Sequence, residues 1–539
     1  MSTKKFINGI FTTLPFVFIL FVWLYFAVLH PIPFWYINDD YPAHALSHAF
    51  TLDSNLSGVK SYNYGYGVHP GIPFGFVSWL AFRLSTLGFS DSGSRISYAL
   101  THADSFWFWA KIFALALNIT GLLVMKQIFK RPVMFFIASG VYFAGAGALA
   151  GFQSFLELEN ESFTLLYITL YYYLSYILLT CFSERRETIF KISTPDLLSC
   201  CLGALTAIGC SIKIYYMGPA VGLALGVMVA MIAGTFDKKT GLRIFILFLI
   251  NFLLFGFFIV YFIISWPLFQ SWVIWNWSML FHAGRFGTGP NEFLKLSFVF
   301  KAINDLRVST NGSFPIIFMF LIMTCLLTTL KRIKDKLWIQ QYVPFVVTLL
   351  IGIFISLVAL LKHYSPHYAL PLYASLACSL LIIDQNIRNR VILSVGVIAV
   401  FILADRSVVA YDLVHQQALN NVSAVIRDVK IIEALPISIG QKRVWGYLTP
   451  AKACQLALIS QYSGSPLVTQ IYSHSTDISP VYDRSCETWR YVIFPKVYFP
   501  TQESISSANK MFDFSTTKFK KNNSDKILEL ETVFVLERA

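Results

Sequence analysis

Long apolar runs recur along this chain, and they restrict what it can fold into. A run of about 18 apolar residues is enough to cross the hydrocarbon core of a bilayer as a helix. Of 539 residues, 56% are hydrophobic and only 13% are charged, whereas a soluble domain carries about 25% charged residues. The sequence therefore predicts an all-α polytopic membrane protein with about eleven transmembrane helices. The predicted spans are 7–29, 105–125, 133–151, 163–182, 196–215, 217–234, 244–266, 313–330, 339–361, 367–384 and 391–409.

Two apolar segments need separate interpretation. The first follows Lys4 and Lys5 and runs to Leu29, which is too long for the core of a cleaved signal peptide, so we interpret it as an uncleaved first helix. The second, "GIPFGFVSWLAFRLSTLGF" (71–89), is interrupted by glycine, proline and arginine. A crossing there would turn the later basic loops outward, so we interpret it as an interfacial or re-entrant helix within a long first outer loop, residues 31–104.

The positive charge is concentrated on one side of the predicted membrane. The loops on that side hold 15 Lys and Arg in 43 residues, and the opposite loops hold 8 in 136. The positive-inside rule then places the N-terminus in the cytoplasm and the first outer loop outside, in a multi-pass protein expected in a bacterial inner or plasma membrane. These loops explain the net charge of +13. No basic stretch is combined with a stacking surface, so no nucleic-acid partner is predicted.

The character of the chain changes after residue 410. Residues 411–539 have ordinary polar content and alternating stretches such as "RYVIFP" and "LELETVFVLE". We therefore predict a transmembrane catalytic domain over 1–410 and an extracytoplasmic α/β or mostly β domain over 411–539. Cys454 and Cys486 are the only cysteines of that domain, and either a disulfide or two free thiols would fit.

Ionisable residues are dense immediately after the first span. "FWYINDDYPAHALSHAF" (34–50) contains Asp39, Asp40, His44 and His48 among aromatic residues. A carboxylate in a partly dry interfacial site can be tuned toward a general base, so we predict a catalytic role for at least one aspartate. The alternatives are a solvated turn or an acid that caps a helix.

The other unusual polar residues also lie at predicted outer ends of spans. Lys213 is the most informative, because an intramembrane lysine is costly and marks a functional site, although a lysine that snorkels to the interface is the competing account. Glu157 and Glu161 would share one face if their segment were helical. Among these residues and the first outer loop, the predicted substrate-binding residues are His44, His48, His69, Glu159, Glu161, Lys213, Arg285, His363, Tyr364 and His367.

Metal binding is left open by the sequence. No Cys/His pattern has zinc-ligand spacing, and no cofactor is predicted with certainty. The spacing of His363 and His367 allows a divalent metal, and so does one of the two opening aspartates.

An ordered series of short motifs resembles the GT-C superfamily of membrane glycosyltransferases, which includes protein O-mannosyltransferases and the aminoarabinose transferases of lipid A. "INDDYPAHA" (37–45) resembles the acidic motif of their first outer loop, and "VHPGIP" (68–73) resembles the segment that follows it. "ENESFTLLYITLYYYL" (159–174), "AIGCSIKIYYMGPAV" (207–221) and "HYSPHYALPLY" (363–373) resemble later motifs, with His363 where arginine is usual. The resemblance covers roughly residues 5 to 410.

The resemblance implies transfer of a sugar from a polyprenyl-phosphate donor to a lipid, glycan or protein acceptor, among membrane lipids at the outer face. Asp39 or Asp40 would accept the proton of the attacking hydroxyl, and a single displacement would invert the anomeric carbon. Two other classes remain open: a flippase or transporter of lipid-linked saccharides, and a polymerase or ligase. A flippase or transporter would place acids near the bilayer midplane, whereas the unusual polar residues here lie at predicted outer ends of spans. A polymerase or ligase usually places its chemistry in a later loop, whereas Asp39 and Asp40 lie in the first outer loop.

We predict that changing the catalytic aspartate, Asp39 or Asp40, to asparagine lowers turnover by about 10²–10⁴-fold, because a general base would be lost. The protein should still fold and bind its donor. Single-turnover kinetics of the two single variants would identify the base. Wild-type turnover in the double variant would show that the acids only cap the loop.

Overall fold

The structure is a computed structural model. It describes residues 3–32, 41–57, 71–180, 188–189, 192–260, 295–310, 312–332, 334–362, 365–386, 390–436, 442–445, 489–496, 526–531 and 533–537, with positions 270, 273–274, 277, 281–282 and 501.

Helices dominate the described residues. The first part of the chain forms α1 (Thr3–Trp23), continued by a π-helix (Leu24–Leu29), then α2 (Tyr41–Leu56), α3 (Ile72–Ser85), α4 (Ser92–Thr101), α5 (Ala103–Ile128), α6 (Pro132–Phe143), α7 (Ala148–Leu156) and α8 (Thr164–Thr180). The second part forms α9 (Thr194–Ile212), α10 (Gly218–Ile232), α11 (Lys238–Phe258), α12 (Leu296–Ser309), α13 (Ser313–Arg332), α14 (Lys336–Lys362), α15 (Leu370–Asn386) and α16 (Arg390–Ala434). Three 3-10 turns precede α8, α10 and α15: Asn160–Phe163, Ile214–Met217 and Pro366–Ala369.

Seven of the described helices are long and apolar enough to cross a membrane, or eight if the bent pair 296–309 and 313–323 is one span. Three shorter apolar helices, Pro132–Phe143, Gly218–Ile232 and His367–Ile382, occupy further predicted spans. The protein is therefore a mostly helical, multi-pass membrane protein. The count of eleven crossings stays a prediction. The segment 71–89 forms α3, whose 14 residues extend about 21 Å, less than the roughly 30 Å of hydrocarbon.

The predicted span 133–151 is wrong as a single helix. Helix α6 ends at Phe143, the chain turns at residues 144–147, and α7 begins at Ala148. Gly147 has φ of +87°, a backbone conformation that a glycine adopts without strain. Gly151 then brings α7 so close to α6 that an added Cβ would lie 2.0 Å from the carbonyl oxygen of Phe143. This close packing explains the break.

The predicted last span, 391–409, lies within a longer helix. Helix α16 continues to Ala434, 24 residues into the region predicted to be a separate domain after 410. Beyond it, four strands form one sheet: β3 (Lys442–Trp445), β4 (Trp489–Pro495), β5 (Lys526–Glu529) and β6 (Val533–Glu537), in the order β3-β4-β6-β5. Both alternating segments singled out in the sequence form strands of this sheet. Strands β1 (Thr188–Ile189) and β2 (Ile192–Ser193) form a separate small hairpin.

The chain divides into two compact units. The first comprises 1–30, 68–77 and 110–412, and the second comprises 31–67, 78–109 and 413–539. The boundary predicted near residue 410 and its placement outside the membrane stay predictions.

Helix packing in the first unit depends on close backbone approach. Gly218, Gly222 and Gly226 form a stripe at four-residue spacing on α10, facing α14. A Cβ on Gly222 would lie 2.2 Å from the carbonyl oxygen of Thr348, so no larger residue fits. Small residues at this spacing allow apolar helices to approach closely within lipid. The stripe holds α10 against α14, and Lys213 lies just before α10.

A buried acid links helices α2, α3 and α4. Asp53 of α2 accepts hydrogen bonds from Nε and Nη2 of Arg95 at 3.0 and 2.8 Å, and from Nη1 of Arg83 at 3.1 Å. The Arg95 side chain is 3% exposed. Burial raises the pKa of Asp53, but the hydrogen bonds from Arg95 and its neighbours outweigh it and hold the pKa below the ordinary value of 3.8.

We predict that Asp53→Asn destabilises the protein by about 3–5 kcal/mol, because it leaves the buried Arg95 guanidinium without a counter-charge. Thermal unfolding in detergent measures the effect. Asp91→Asn is the matched control, because Asp91 is the exposed N-cap of α4 and asparagine caps helices equally well. Equal melting temperatures for the two variants would contradict the assigned role of Asp53.

Candidate functional site

The acidic segment before α8 has a well-defined local structure. Helix α7 ends at Leu156, and Glu157 and Glu159 both have extended backbones. Glu159 caps the following 3-10 turn, since its side chain accepts from the Ser162 backbone while the Ser162 hydroxyl accepts from the Glu159 N–H at 3.0 Å. The same hydroxyl donates to the carbonyl of Glu157 at 2.8 Å. This reciprocal cap fixes Glu161 in the turn.

Glu157 and Glu161 do not lie on one helix, which is the condition under which they would share a face. The extended residues between α7 and the 3-10 turn break the helical spacing. A solvated loop is also excluded, because Glu157 and Glu161 are each only 4% exposed. Buried carboxylates need partners, and each of these two has its own.

Lys213 is the partner of Glu161. Helix α9 ends at Ile212, and the Lys213 N–H still donates to the Gly209 carbonyl at 3.0 Å. The Lys213 ammonium forms an ion pair with Oε1 of Glu161, and the lysine is 6% exposed. The ammonium is thus directed into the protein and does not reach solvent as a snorkelling lysine would.

Aromatic and histidine side chains of the turn before α15 complete this centre. The ring centroid of Tyr368 lies 4.6 Å from Nζ of Lys213, within cation–π range. His367 is close enough to Glu161 to act on it electrostatically. Its Nδ1 lies 3.1 Å from the hydroxyl of Ser365. We call Glu161, Lys213, His367 and Tyr368 the central cluster.

Tyrosines link the turns that carry the central cluster. The hydroxyl of Tyr216, which follows Lys213 in the turn before α10, hydrogen-bonds the Thr164 hydroxyl at the start of α8. Tyr167 of α8 donates to the carbonyl of Tyr216 at 3.3 Å. Both tyrosines are buried. The turns that carry Glu161 and Lys213 are therefore linked by more than their ion pair.

Gly71 brings another segment to the same place. Its φ is +132°, and its N–H donates to the carbonyl of Ser211 at 2.8 Å. A Cβ at this position would lie 2.2 Å from Oδ1 of Asn160. Ser211 and Asn160 are close neighbours in sequence of Lys213 and Glu161. The "VHPGIP" motif thus contributes a glycine whose backbone closely approaches the residues beside the central cluster.

A second acidic centre lies beside the first. The amide nitrogen of Gln153 donates to Glu157 at 3.0 Å and to Glu159 at 3.1 Å. Lys111 of α5 acts on Glu157 electrostatically, and its ammonium donates to the carbonyl of Ala27 at 3.1 Å. Burial raises the pKa of Glu157 to about 7, against the lowering effects of Gln153 and Lys111. Glu157 therefore holds its proton more strongly than an exposed glutamate does.

The structure thus brings together Glu159, Glu161, Lys213 and His367 of the predicted substrate-binding residues. His48 is half-buried on α2, in the second unit, and His44 lies on the same helix. The remaining predicted residues lie outside the described part of the chain: Asp39, Asp40, His69, Arg285, His363, Tyr364, and also Cys454 and Cys486. Among the described residues, no group of three or more His, Cys, Asp or Glu is arranged to hold a metal ion.

Sequence reasoning misses Lys111 and Tyr368, and it leaves Glu157 out of the site. Lys111 lies within the apolar run of α5, the same signal that singles out Lys213. Tyr368 carries no signal of its own, since tyrosine is common in this chain and only the folded turn places its ring against Lys213.

Two solved structures of membrane enzymes are similar to this chain. The crystal structure of ArnT from Cupriavidus metallidurans bound to undecaprenyl phosphate has a TM-score of 0.51 at 8% identity, covering 99% of this chain and 98% of that chain. The archaeal oligosaccharyltransferase AglB from Archaeoglobus fulgidus, in complex with an inhibitory peptide and a dolichol-phosphate, has a TM-score of 0.49 at 12% identity, covering 94% of this chain and 71% of that chain.

Neither a protein-family model nor a curated protein sequence matches the chain. The likeness to ArnT shows a shared fold over nearly the full length of both chains.

We predict that Glu157→Gln makes stability less dependent on pH. A carboxyl whose pKa is raised in the folded state stabilises the protein fully below its ordinary pKa of 4.5, and that contribution is lost as the pH rises through about 7. The neutral variant avoids the loss, so at pH 8 it should be more stable than the wild type by at most about 3 kcal/mol. Melting temperatures between pH 5 and 8 measure this.

The matched control is Asp335→Asn, because Asp335 is an exposed acid with a 45% exposed side chain. Its melting profile should follow that of the wild type. Parallel profiles for the wild type and Glu157→Gln would show that Glu157 does not titrate in this range.

Proposed function

We propose that the protein is an integral-membrane glycosyltransferase of the GT-C type, which moves a sugar from a polyprenyl-phosphate donor to a lipid, glycan or protein acceptor at the outer face of the membrane. The observation that carries the proposal is the buried Lys213, held at the end of a span within the fold of an enzyme crystallised with undecaprenyl phosphate. A buried ammonium at that position suits the phosphate of a lipid whose tail remains in the bilayer.

The position of the charges supports surface chemistry over transport. Glu161 lies at the start of the candidate span 160–180, and Lys213 directly follows the span 194–212. His367 lies at the start of the apolar helix 367–382. Secondary transporters bind their substrate near the bilayer midplane, where discontinuous helices expose polar groups. The central cluster is at the ends of helices instead, so a flippase or transporter is less well supported.

Lys213 would act on the leaving group. Polyprenyl phosphate gains negative charge as the bond to the sugar breaks, and a preorganised cation in a site of low dielectric stabilises that charge strongly. The Tyr368 ring, 4.6 Å from Nζ, helps to hold the ammonium in place. No general acid is needed, because the leaving phosphate is a stable anion.

The acceptor side of the reaction belongs to the first outer loop in this proposal. Asp39 or Asp40 would take the proton of the acceptor hydroxyl as its oxygen attacks the anomeric carbon, with inversion. Gly71, which lies in the loop after these acids, approaches Ser211 and Asn160 beside the central cluster. A metal held by one aspartate remains compatible with the same role.

The experiment has two stages. Mass spectrometry of envelope lipids and glycans from cells with and without the gene identifies the transferred sugar and its acceptor. An unchanged envelope profile under conditions in which the gene is expressed would contradict the proposed function. The purified protein in nanodiscs is then assayed with the identified donor.

We predict that Lys213→Met lowers kcat/KM for that donor by roughly 30- to 1,000-fold, corresponding to about 2–4 kcal/mol of lost transition-state stabilisation. Lys126→Met is the matched control, since Lys126 is an exposed lysine in the last turn of α5 and should leave kcat/KM unchanged. If Lys213→Met stays within about threefold of the wild type, a change of less than about 1 kcal/mol, Lys213 is not part of the site.

A further inference from the structure

We propose that Glu161 is a resident counter-ion for Lys213, which occupies the place of the phosphate in the absence of donor and weakens the binding of the released polyprenyl phosphate. Glu161 is then a positioning residue that acts through Lys213. The inference rests on the proposed function, because it assumes that Lys213 receives the donor's phosphate.

The geometry places an anion where the phosphate is expected. Oε1 of Glu161 forms an ion pair with Nζ of Lys213, and both residues are buried. The carboxylate is held from its own side by the Glu159–Ser162 cap and not by the lysine alone. The lysine is held by the helical hydrogen bond of its N–H to Gly209, at 3.0 Å. The two groups therefore meet because two independent backbone turns direct them together.

A buried lysine needs a negative partner at every stage of the reaction. Before the donor binds, an isolated ammonium in such a site would be expensive, and Glu161 removes that cost. When a phosphate enters, its oxygens compete with the carboxylate for the ammonium donors, of which lysine has three. Glu161 thus keeps Lys213 protonated and directed into the site before the donor arrives.

The charges of donor and product make this competition asymmetric. A sugar linked through phosphate to a polyprenol is a diester with one negative charge, whereas the released phosphate monoester carries about −1.5 to −2 at neutral pH. The fixed carboxylate of Glu161 repels the product more strongly than the donor at the same site. His367 and Glu159 also act on the pair electrostatically. The arrangement favours release of the product.

A purely structural ion pair predicts different behaviour. Loss of a structural partner would destabilise the protein and weaken every ligand. Loss of a competing counter-ion should instead lower the dissociation constant of the product, and it should lower kcat and KM together because product release becomes slow. The two accounts therefore differ in the sign of the change in product affinity.

The test measures binding of undecaprenyl phosphate to the full-length protein in nanodiscs. Glu161→Gln should bind undecaprenyl phosphate at least about tenfold more tightly. The reason is that the Lys213 ammonium no longer donates a charge-assisted hydrogen bond to a carboxylate that competes with the phosphate. Lys213→Met and the double variant Glu161→Gln/Lys213→Met should lose this binding. The double variant removes both buried charges, so it should fold as well as the wild type.

Asp196→Asn is the matched control. Asp196 forms an ion pair with Arg243 at the opposite end of α9, 2.6 Å from its Nη2. Asp196→Asn removes a carboxylate from an ion pair of α9 without changing the surroundings of Lys213. The affinity for undecaprenyl phosphate should stay at the wild-type value.

Two results would overturn the inference, and they have different meanings. If Lys213→Met loses binding but Glu161→Gln binds equally or more weakly, Glu161 is structural and the proposed function stands. If Lys213→Met binds like the wild type, the phosphate role of Lys213 fails and the inference fails with it.

Should Glu161→Gln not fold, Glu161→Asp is the substitute variant, because it retains the charge but shortens the side chain. It should bind the product about threefold more tightly, and unchanged or weaker binding would overturn the inference.

Discussion

The buried ion pair between Lys213 and Glu161 is the interaction on which the arrangement of the site depends. Either charge alone would be costly in its surroundings, because an unpaired ion in a site of low dielectric costs several kcal/mol. The pair joins the end of α9 to the start of α8. The turn before α15 adds Tyr368 and His367 to it. Three segments that lie far apart in the sequence therefore meet at the Lys213–Glu161 ion pair.

Close backbone approach makes this convergence feasible. Gly209, one turn before Lys213, lets α9 approach α8 so closely that a Cβ would lie 2.2 Å from the hydroxyl oxygen of Tyr167. The glycine stripe of α10 does the same against α14. In lipid, helices gain little by burying apolar surface against each other, so packing of this kind supplies much of their association energy. The side chains of the central cluster are thus placed by a scaffold that tolerates almost no added volume.

The helices are well predicted from the sequence because apolar length is a strong physical signal, and each predicted span has an apolar helix at its position. Their breaks are poorly predicted. The turn at residues 144–147 depends on how α6 and α7 pack, which the apolar pattern does not reveal. Lys213 is recognisable because a charge in hydrocarbon is costly. Tyr368 is not recognisable in the same way, because its role arises only when its turn meets Lys213.

The segment that carries Glu157 and Glu161 departs from helical spacing for a local reason. The prediction takes helical spacing from position alone, whereas the reciprocal cap between Glu159 and Ser162 ends that spacing. The pattern Glu-x-x-Ser does contain the hydrogen-bonding groups of such a cap, but with the acid first and the hydroxyl three residues later, the reverse of the usual order. A search of the sequence for caps in both orders would separate the two acids.

Glu157 and Glu161 therefore differ in their ionisation. Glu161 is paired with Lys213, whereas burial raises the pKa of Glu157 to about 7, so that it can give up its charge near neutral pH. Among the described residues, three ionised acids, Glu157, Glu159 and Glu161, would outnumber the two lysines that act on them, Lys111 and Lys213. A proton on Glu157 restores the balance. Burial of Glu157 in an apolar environment, where ionisation is unfavourable, therefore lowers the negative charge of this acidic centre.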